Sequence, residues 1–189
     1  MGFILNAIAA LAIGTATGLA ATWLFVFYGN MPGGVTDGPW RTNLLVGSSS
    51  SDAQTRASVA VHGLLALNRS ETIYYIAATD DSGASLTSDC AYRISGRDPD
   101  ARWWSITAYG ADDYLIANPT NRYSISKNAV VRGADGSFNA DVAMTAQANW
   151  IPVMGGPFSL TLRLYNPGPR VAADPAHAAL PKIEKVSCQ

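Results

Sequence analysis

Residues 3–28 contain no charged side chain, and apart from Asn6 and a few Thr and Gly they are apolar. A run of about 26 such residues is long enough to cross a ~30 Å hydrocarbon layer as a helix. The rival reading is a cleaved signal peptide. That reading lacks a charged n-region, asks for a shorter apolar stretch and needs an A-x-A site, so the expectation is an uncleaved anchor over 1–28. Trp23 and Tyr28 fall near its downstream end, where amphipathic rings favour the headgroup level. Ala10, Gly14, Gly18 and Thr22 recur every four residues and make a smooth stripe with a GxxxG step. Such a stripe lets a second helix approach closely in lipid, so self-association or a membrane-protein partner is expected there, although small residues are also simply common in membrane spans.

Sidedness is weakly encoded, because the first Lys or Arg is Arg41. The cysteines supply the other clue. Cys90 and Cys188 have no CxxC spacing and no neighbouring His, which fits one disulfide in an oxidising compartment better than a metal site. Two unrelated buried thiols are the alternative. The expected location is therefore the inner membrane, single-pass, with the C-terminal body in the periplasm. Net charge is -1 and the 13 Lys+Arg are scattered, so no basic stripe suits a phosphate backbone, and no nucleic-acid partner is expected.

After the anchor, "GNMPGGVTDGPW" (29–40) is rich in Gly and Pro and lacks periodicity, so 29–50 reads as a linker. Ser51 and Gln54 have capping-box spacing, and Ala53, Ala57, Val61 and Leu64 recur at helical spacing up to Leu67, which predicts one amphipathic helix. His62 within it reads as a packed or surface residue. From Ile73 the texture changes to short β-rich runs between turn signals: "IYYIAAT", "AYRIS", "RWWSITAY", "NAVVRG" and "PFSLTLRLY". The fold class expected over 51–170 is mainly β, an antiparallel sandwich or jelly-roll-like domain. In the last run Phe158, Leu160, Leu162 and Leu164 alternate with Ser159, Thr161, Arg163 and Tyr165, so one face is buried and the other polar. Residues 171–189 read as a tail over the surface, with Cys188 stapling it back.

Three blocks, "RWWSITAYGADDYLIANPTNRYSIS", "DGSF" and "NWIPVMGGPFSLTLRLYNP", resemble in order and wording the bacterial domain-of-unknown-function family 1214. Its members carry a WSLT-type strand, an N-P-x-N-R-Y segment, an N-W-L-P turn and a P-F-x-L-x-L-R-L-Y strand. The resemblance covers about 71–169 and implies a β-sandwich-like fold without an established reaction. Members often carry an upstream domain of family 1254; here that place holds the anchor and one helix.

Within "NPTNRYSIS" (118–126), Asn118 precedes Pro119 and suits an Asx turn, Asn121 suits bonds to loop backbone, and Arg122 offers a planar fork of five donors. Structural locking of the loop is the expected role, and an anion held by Arg122 is the alternative. Asp112 and Asp113 are adjacent, whereas paired-carboxylate hydrolysis needs two groups facing one substrate across a gap. Ser/His/Asp chemistry would have to recruit His62 or His177, and neither lies beside a nucleophile elbow. Two His and two scattered Cys offer no zinc set, so no metal or cofactor is expected. In "WWS" the tryptophans face opposite sides of a strand. The ligand-facing candidates are then Trp103, Asp112, Asp113, Asn118, Asn121, Arg122, Tyr123 and Trp150. The first functional reading is a binding or scaffolding module, an accessory subunit of an envelope complex. The second is a hydrolase-like enzyme acting on an envelope or carbohydrate-type substrate.

Overall fold

A computed structural model describes residues 2–28, 33–62, 66–145 and 148–188. The chain opens with α1 (Gly2–Tyr28), a 27-residue helix with no buried residue, long and apolar enough to cross a membrane. Two hydrogen-bonded sheets follow. The larger comprises β1 (Gly34–Asp37), β2 (Trp40–Asn43), β3 (Thr72–Ala77), β5 (Ala101–Gly110), β6 (Ser124–Ser126) and β9 (Phe158–Pro167), in the order β1-β2-β3-β9-β5-β6. The smaller comprises β4 (Cys90–Gly96), β7 (Phe138–Ala143), β8 (Trp150–Pro152) and β10 (Lys182–Cys188), in the order β10-β4-β7-β8. The body is mainly β, as its alternating runs predict, with all pairs antiparallel except β7 with β8. Among the described residues the body also holds α2 (Ala53–Val61), α3 (Pro169–Ala173) and one 3-10 turn (Pro175–His177).

Period-2 alternation builds the core. Leu160, Leu162 and Leu164 of β9 lie beside Ile106 and Trp104 of β5 and Tyr75 of β3, all fully buried. Trp104 stacks on Phe138 of the smaller sheet with ring centroids 5.0 Å apart, and Tyr92 meets Phe158 edge-on at 5.8 Å, so aromatic pairs bridge the two sheets. Each such fully buried side chain contributes about 1.5–3 kcal/mol.

Four local expectations need correction. The stretch expected as linker carries β1 and β2, joined by Gly38 and Pro39 with Gly38 at φ 57°; residues 29–32 lie outside the described residues. Four-residue strands punctuated by Gly and Pro leave no alternation to read, yet Trp40 is buried there and its Nε1 donates to Pro181 O at 2.7 Å. The helix begins later than Ser51. Asp52 is its N-cap, accepting from Thr55 N at 2.7 Å, while Ser51 Oγ bonds Leu45 O and Ser48 O and Gln54 Nε2 donates to Phe25 O at 2.9 Å. With the Ser51 hydroxyl committed to those carbonyls, Asp52 takes the cap. Leu64 lies outside the described residues. "NAVVRG" is a turn and loop, with Val130 buried and Val131 exposed, because Arg132 ties its backbone by donating to Val130 O and Lys127 O. Finally, the segment expected to run over the surface contributes β10, an edge strand paired with β4, in which Cys188 lies opposite Cys90 and is disulfide-bonded to it.

Candidate functional site

Asn118 uses both ends of its amide. Its Oδ1 accepts from Thr120 N at 3.2 Å, Thr120 Oγ1 at 2.7 Å and Arg122 N at 3.2 Å, and its Nδ2 donates to Ile116 O and Arg122 O at 3.1 and 2.9 Å. These bonds close the loop upon itself. Asn121 takes φ 52° and its Oδ1 accepts from the Tyr123 hydroxyl at 3.3 Å. The Arg122 guanidinium meets no carboxylate or carbonyl among the described residues.

The two neighbouring aspartates turn to different partners. Asp112 Oδ1 accepts from Tyr114 N at 3.1 Å, and Asp113 Oδ2 lies 3.9 Å from His62 Nε2. Ser58 Oγ is 3.4 Å from His62 Nδ1, so a serine, a histidine and an aspartate do meet at this edge. The same Nδ1 lies 2.8 Å from the carbonyl of Ser58, which is an acceptor only. Nδ1 must therefore carry a proton and donate to that carbonyl, which leaves it no lone pair to deprotonate the serine. Trp150 is buried, with Nε1 donating to Ala143 O at 2.8 Å, and the adjacent Asn149 clamps Val131 and Asn139 backbone. The Ala10, Gly14, Gly18 and Thr22 stripe is exposed, with open space above Gly14 and Gly18. Among the described residues no group of three or more His, Cys, Asp or Glu is disposed to hold a metal.

The candidates above leave out the residue that stands apart chemically. Cross-strand partners share a face, so the registers Tyr74↔Arg163↔Ser105, Ile76↔Thr161↔Thr107 and Thr72↔Tyr165↔Trp103 map the outward face of the larger sheet. Arg163 sits near its centre. Its carbon Cζ lies 6.0 Å from the Tyr74 ring and 5.4 Å from the Tyr109 ring, within cation–π range. Its Nη2 donates to the Tyr109 hydroxyl at 2.7 Å and its Nη1 to Thr107 Oγ1 at 3.3 Å. Trp103 and Tyr165 pack together beside it, 5.2 Å apart.

Other arginines show the contrast. Arg93, Arg97, Arg132 and Arg170 meet Asp141, Asp135, Asp98 and Asp100 at 3.0, 3.7, 2.8 and 3.5 Å. Arg163 faces hydroxyls instead, and no carboxylate lies within ion-pair reach among the described residues. Each hydroxyl that accepts from the guanidinium still has a proton to donate. Guanidinium, phenol and threonine thus present hydrogen-bond donors without an anionic acceptor. Burial pushes the Tyr74 phenol above its ordinary pKa, the Leu67 backbone bond and Arg163 pulling it partly back, so it stays a protonated donor near neutrality. The sequence signal for this cluster was the one cation within the alternation of "PFSLTLRLY".

The family described as "Protein of unknown function (DUF1214)" matches residues 71–169, more than half of the chain. The chain belongs to that family. Both the Asn118 loop and Arg163 fall inside the DUF1214 match. A crystal structure of the VPA0106 protein from Vibrio parahaemolyticus is similar, with TM-score 0.61 and 22% identity, over 73% of this chain and 36% of that one. An uncharacterised protein from Burkholderia cenocepacia matches at TM-score 0.42 and 18% identity, over 63% of this chain and 30% of that one. The first likeness shows a shared fold, and the chain spans about a third of the length of these structures. No curated protein matches the chain.

Proposed function

We propose that this DUF1214 chain is a membrane-anchored binding module of the cell envelope, holding an oxyanion-bearing ligand on the outward face of its larger sheet. The observation that carries this is Arg163, a cation framed by Tyr74 and Tyr109 that donates to hydroxyl oxygens rather than to a carboxylate. A guanidinium fork with convergent hydroxyls suits a carboxylate or phosphate, and Trp103 with Tyr165 offers an aromatic flank. The disulfide supports an oxidising compartment and so a periplasmic body. The anchor brings the module to the inner membrane, and its Gly14 and Gly18 stripe suits a membrane-protein partner or a second copy. A hydrolase would need two titratable groups sharing one substrate, whereas Asp112 and Asp113 are engaged separately.

The test is a titration of the folded protein with benzoate and with inorganic phosphate, followed by tyrosine ring resonances. Saturable shifts that disappear in Arg163→Gln are expected. Equal shifts in that variant, or none in the parent, overturn the assignment.

A further inference from the structure

At 1.5 Å per residue α1 is about 40 Å long, against ~30 Å of hydrocarbon, so a span leaves its last turns at headgroup level. Those turns touch the body. Gln54 Nε2 donates to Phe25 O at 2.9 Å, the Phe27 ring lies 6.4 Å from the His62 ring, and His62 Nε2 lies 3.9 Å from Asp113 Oδ2. The chain of contacts carries the membrane level from α1 through α2 to the loop that leaves β5 at Gly110. Apolar side chains are unusually open there: Tyr114 is 76% exposed, Leu115 47%, and Val61 at the end of α2 51%. Met154 is also exposed, in the loop entering β9 at Phe158, which pairs with Gly110 across the same edge of the sheet.

We infer that this edge of the body rests on the bilayer, with Tyr114 and Leu115 seated among the headgroups of the membrane that α1 crosses. The inference rests on the anchor reading above. A tyrosine at headgroup level places its ring against acyl chains and its hydroxyl in water, the arrangement of aromatic belts. Asp112 and Asp113 flank the contact, and residues 111–117 contain no Lys or Arg. Carboxylates resist entry into hydrocarbon, so the seat is shallow and takes zwitterionic lipid without needing anionic headgroups. The body is thereby held upright. β5 rises away from the bilayer, and the far end of the larger sheet, where Lys127 Nζ donates to Ala101 O and Arg102 O, projects into solvent.

Site-directed spin labelling of the full chain in phosphatidylcholine vesicles tests this. Cys90 and Cys188 stay bonded, so a single introduced cysteine is labelled in each of Leu19→Cys, Tyr114→Cys and Val131→Cys; Val131 lies beyond β6, towards the Ala101 end. Collisions with oxygen and with a polar nickel chelate report depth. The expected result is a deep label at 19, a label at 114 that has lost nickel collisions relative to 131, and an aqueous label at 131. A deep label at 19 with labels at 114 and 131 equally aqueous overturns the seat and leaves the anchor standing. Aqueous readings at both 19 and 114 overturn the anchor reading and the seat together. Leu115→Cys gives the same reading should Tyr114→Cys fail to fold.

Discussion

The two faces of the larger sheet are built from neighbouring residues of the same strands and do different work. Tyr75, Trp104, Leu162 and Leu164 point inward and are fully buried; Tyr74, Trp103, Arg163 and Tyr165, each adjacent in sequence, point outward and are half-buried. The inward face gains its energy from apolar area removed from water, which is non-directional and scales with size. The outward face buries Thr72, Ser105, Thr107 and Thr161 but leaves its aromatic rings and Arg163 partly open, and it holds fixed donors. Stability and recognition are thus separated by a single step along the chain, so substitutions one residue apart should move different observables.

The comparison breaks most readily on its inward side. Leu162→Ala should cost about 3 kcal/mol in denaturant unfolding, the transfer loss plus an unfilled cavity. A cost below about 1 kcal/mol would mean that the inner face is not close-packed there. Asn118→Ala comes next, with about 2 kcal/mol expected, since several bonds worth about 1 kcal/mol each close that loop. Benzoate binding should survive it, because the loop ties its own backbone; lost binding with unchanged stability would make Asn118 a ligand contact.

The paired tyrosines sharpen the contrast through pH. Burial pushes the Tyr75 phenol well above its ordinary range, with Asp37 and Asp174 adding to the rise, and pushes Tyr74 up as well. A raised folded pKa means the folded state holds the proton more tightly, so the stabilisation is complete below the unfolded value near pH 10 and is lost as pH rises beyond it. Tyr75→Phe should flatten that alkaline loss and cost about 1 kcal/mol at neutral pH, from the missing bond to Pro175 O. Spectroscopic titration should show Tyr74 ionising before Tyr75. The smallest stability effect is expected at Arg163→Gln, under about 1 kcal/mol for two hydroxyl bonds on a half-exposed face. Its melting point should barely move while benzoate binding disappears.

Long alternating runs made β3, β4, β5 and β9 legible in the sequence, because a buried face imposes period 2 over several residues. The family blocks pointed the same way. Strands of three or four residues such as β1, β6 and β8 carry too few positions for a period, even though each pairs with the strand next to it in the chain. β10 was hidden for another reason: its Lys, Glu and Lys face water along an edge strand and make it read as polar tail. The candidate site followed a similar division. Asn118 announced itself through local turn chemistry, whereas the significance of Arg163 depends on hydroxyls from β5 that only the sheet register brings alongside.

One bond has a consequence for how this body comes into being. Trp40 is covered by a segment whose carbonyl, that of Pro181, lies 141 residues later in the chain. At a synthesis rate of about 5–20 residues per second, the indole waits roughly 7–28 s for its lid. Until then the first hairpin has no roof, and the Trp40 ring lies exposed shortly after the long apolar helix α1. Packing over Trp40 is therefore completed only once the segment around Pro181 arrives, and any handler that shields nascent chains has its longest task at the beginning of the fold.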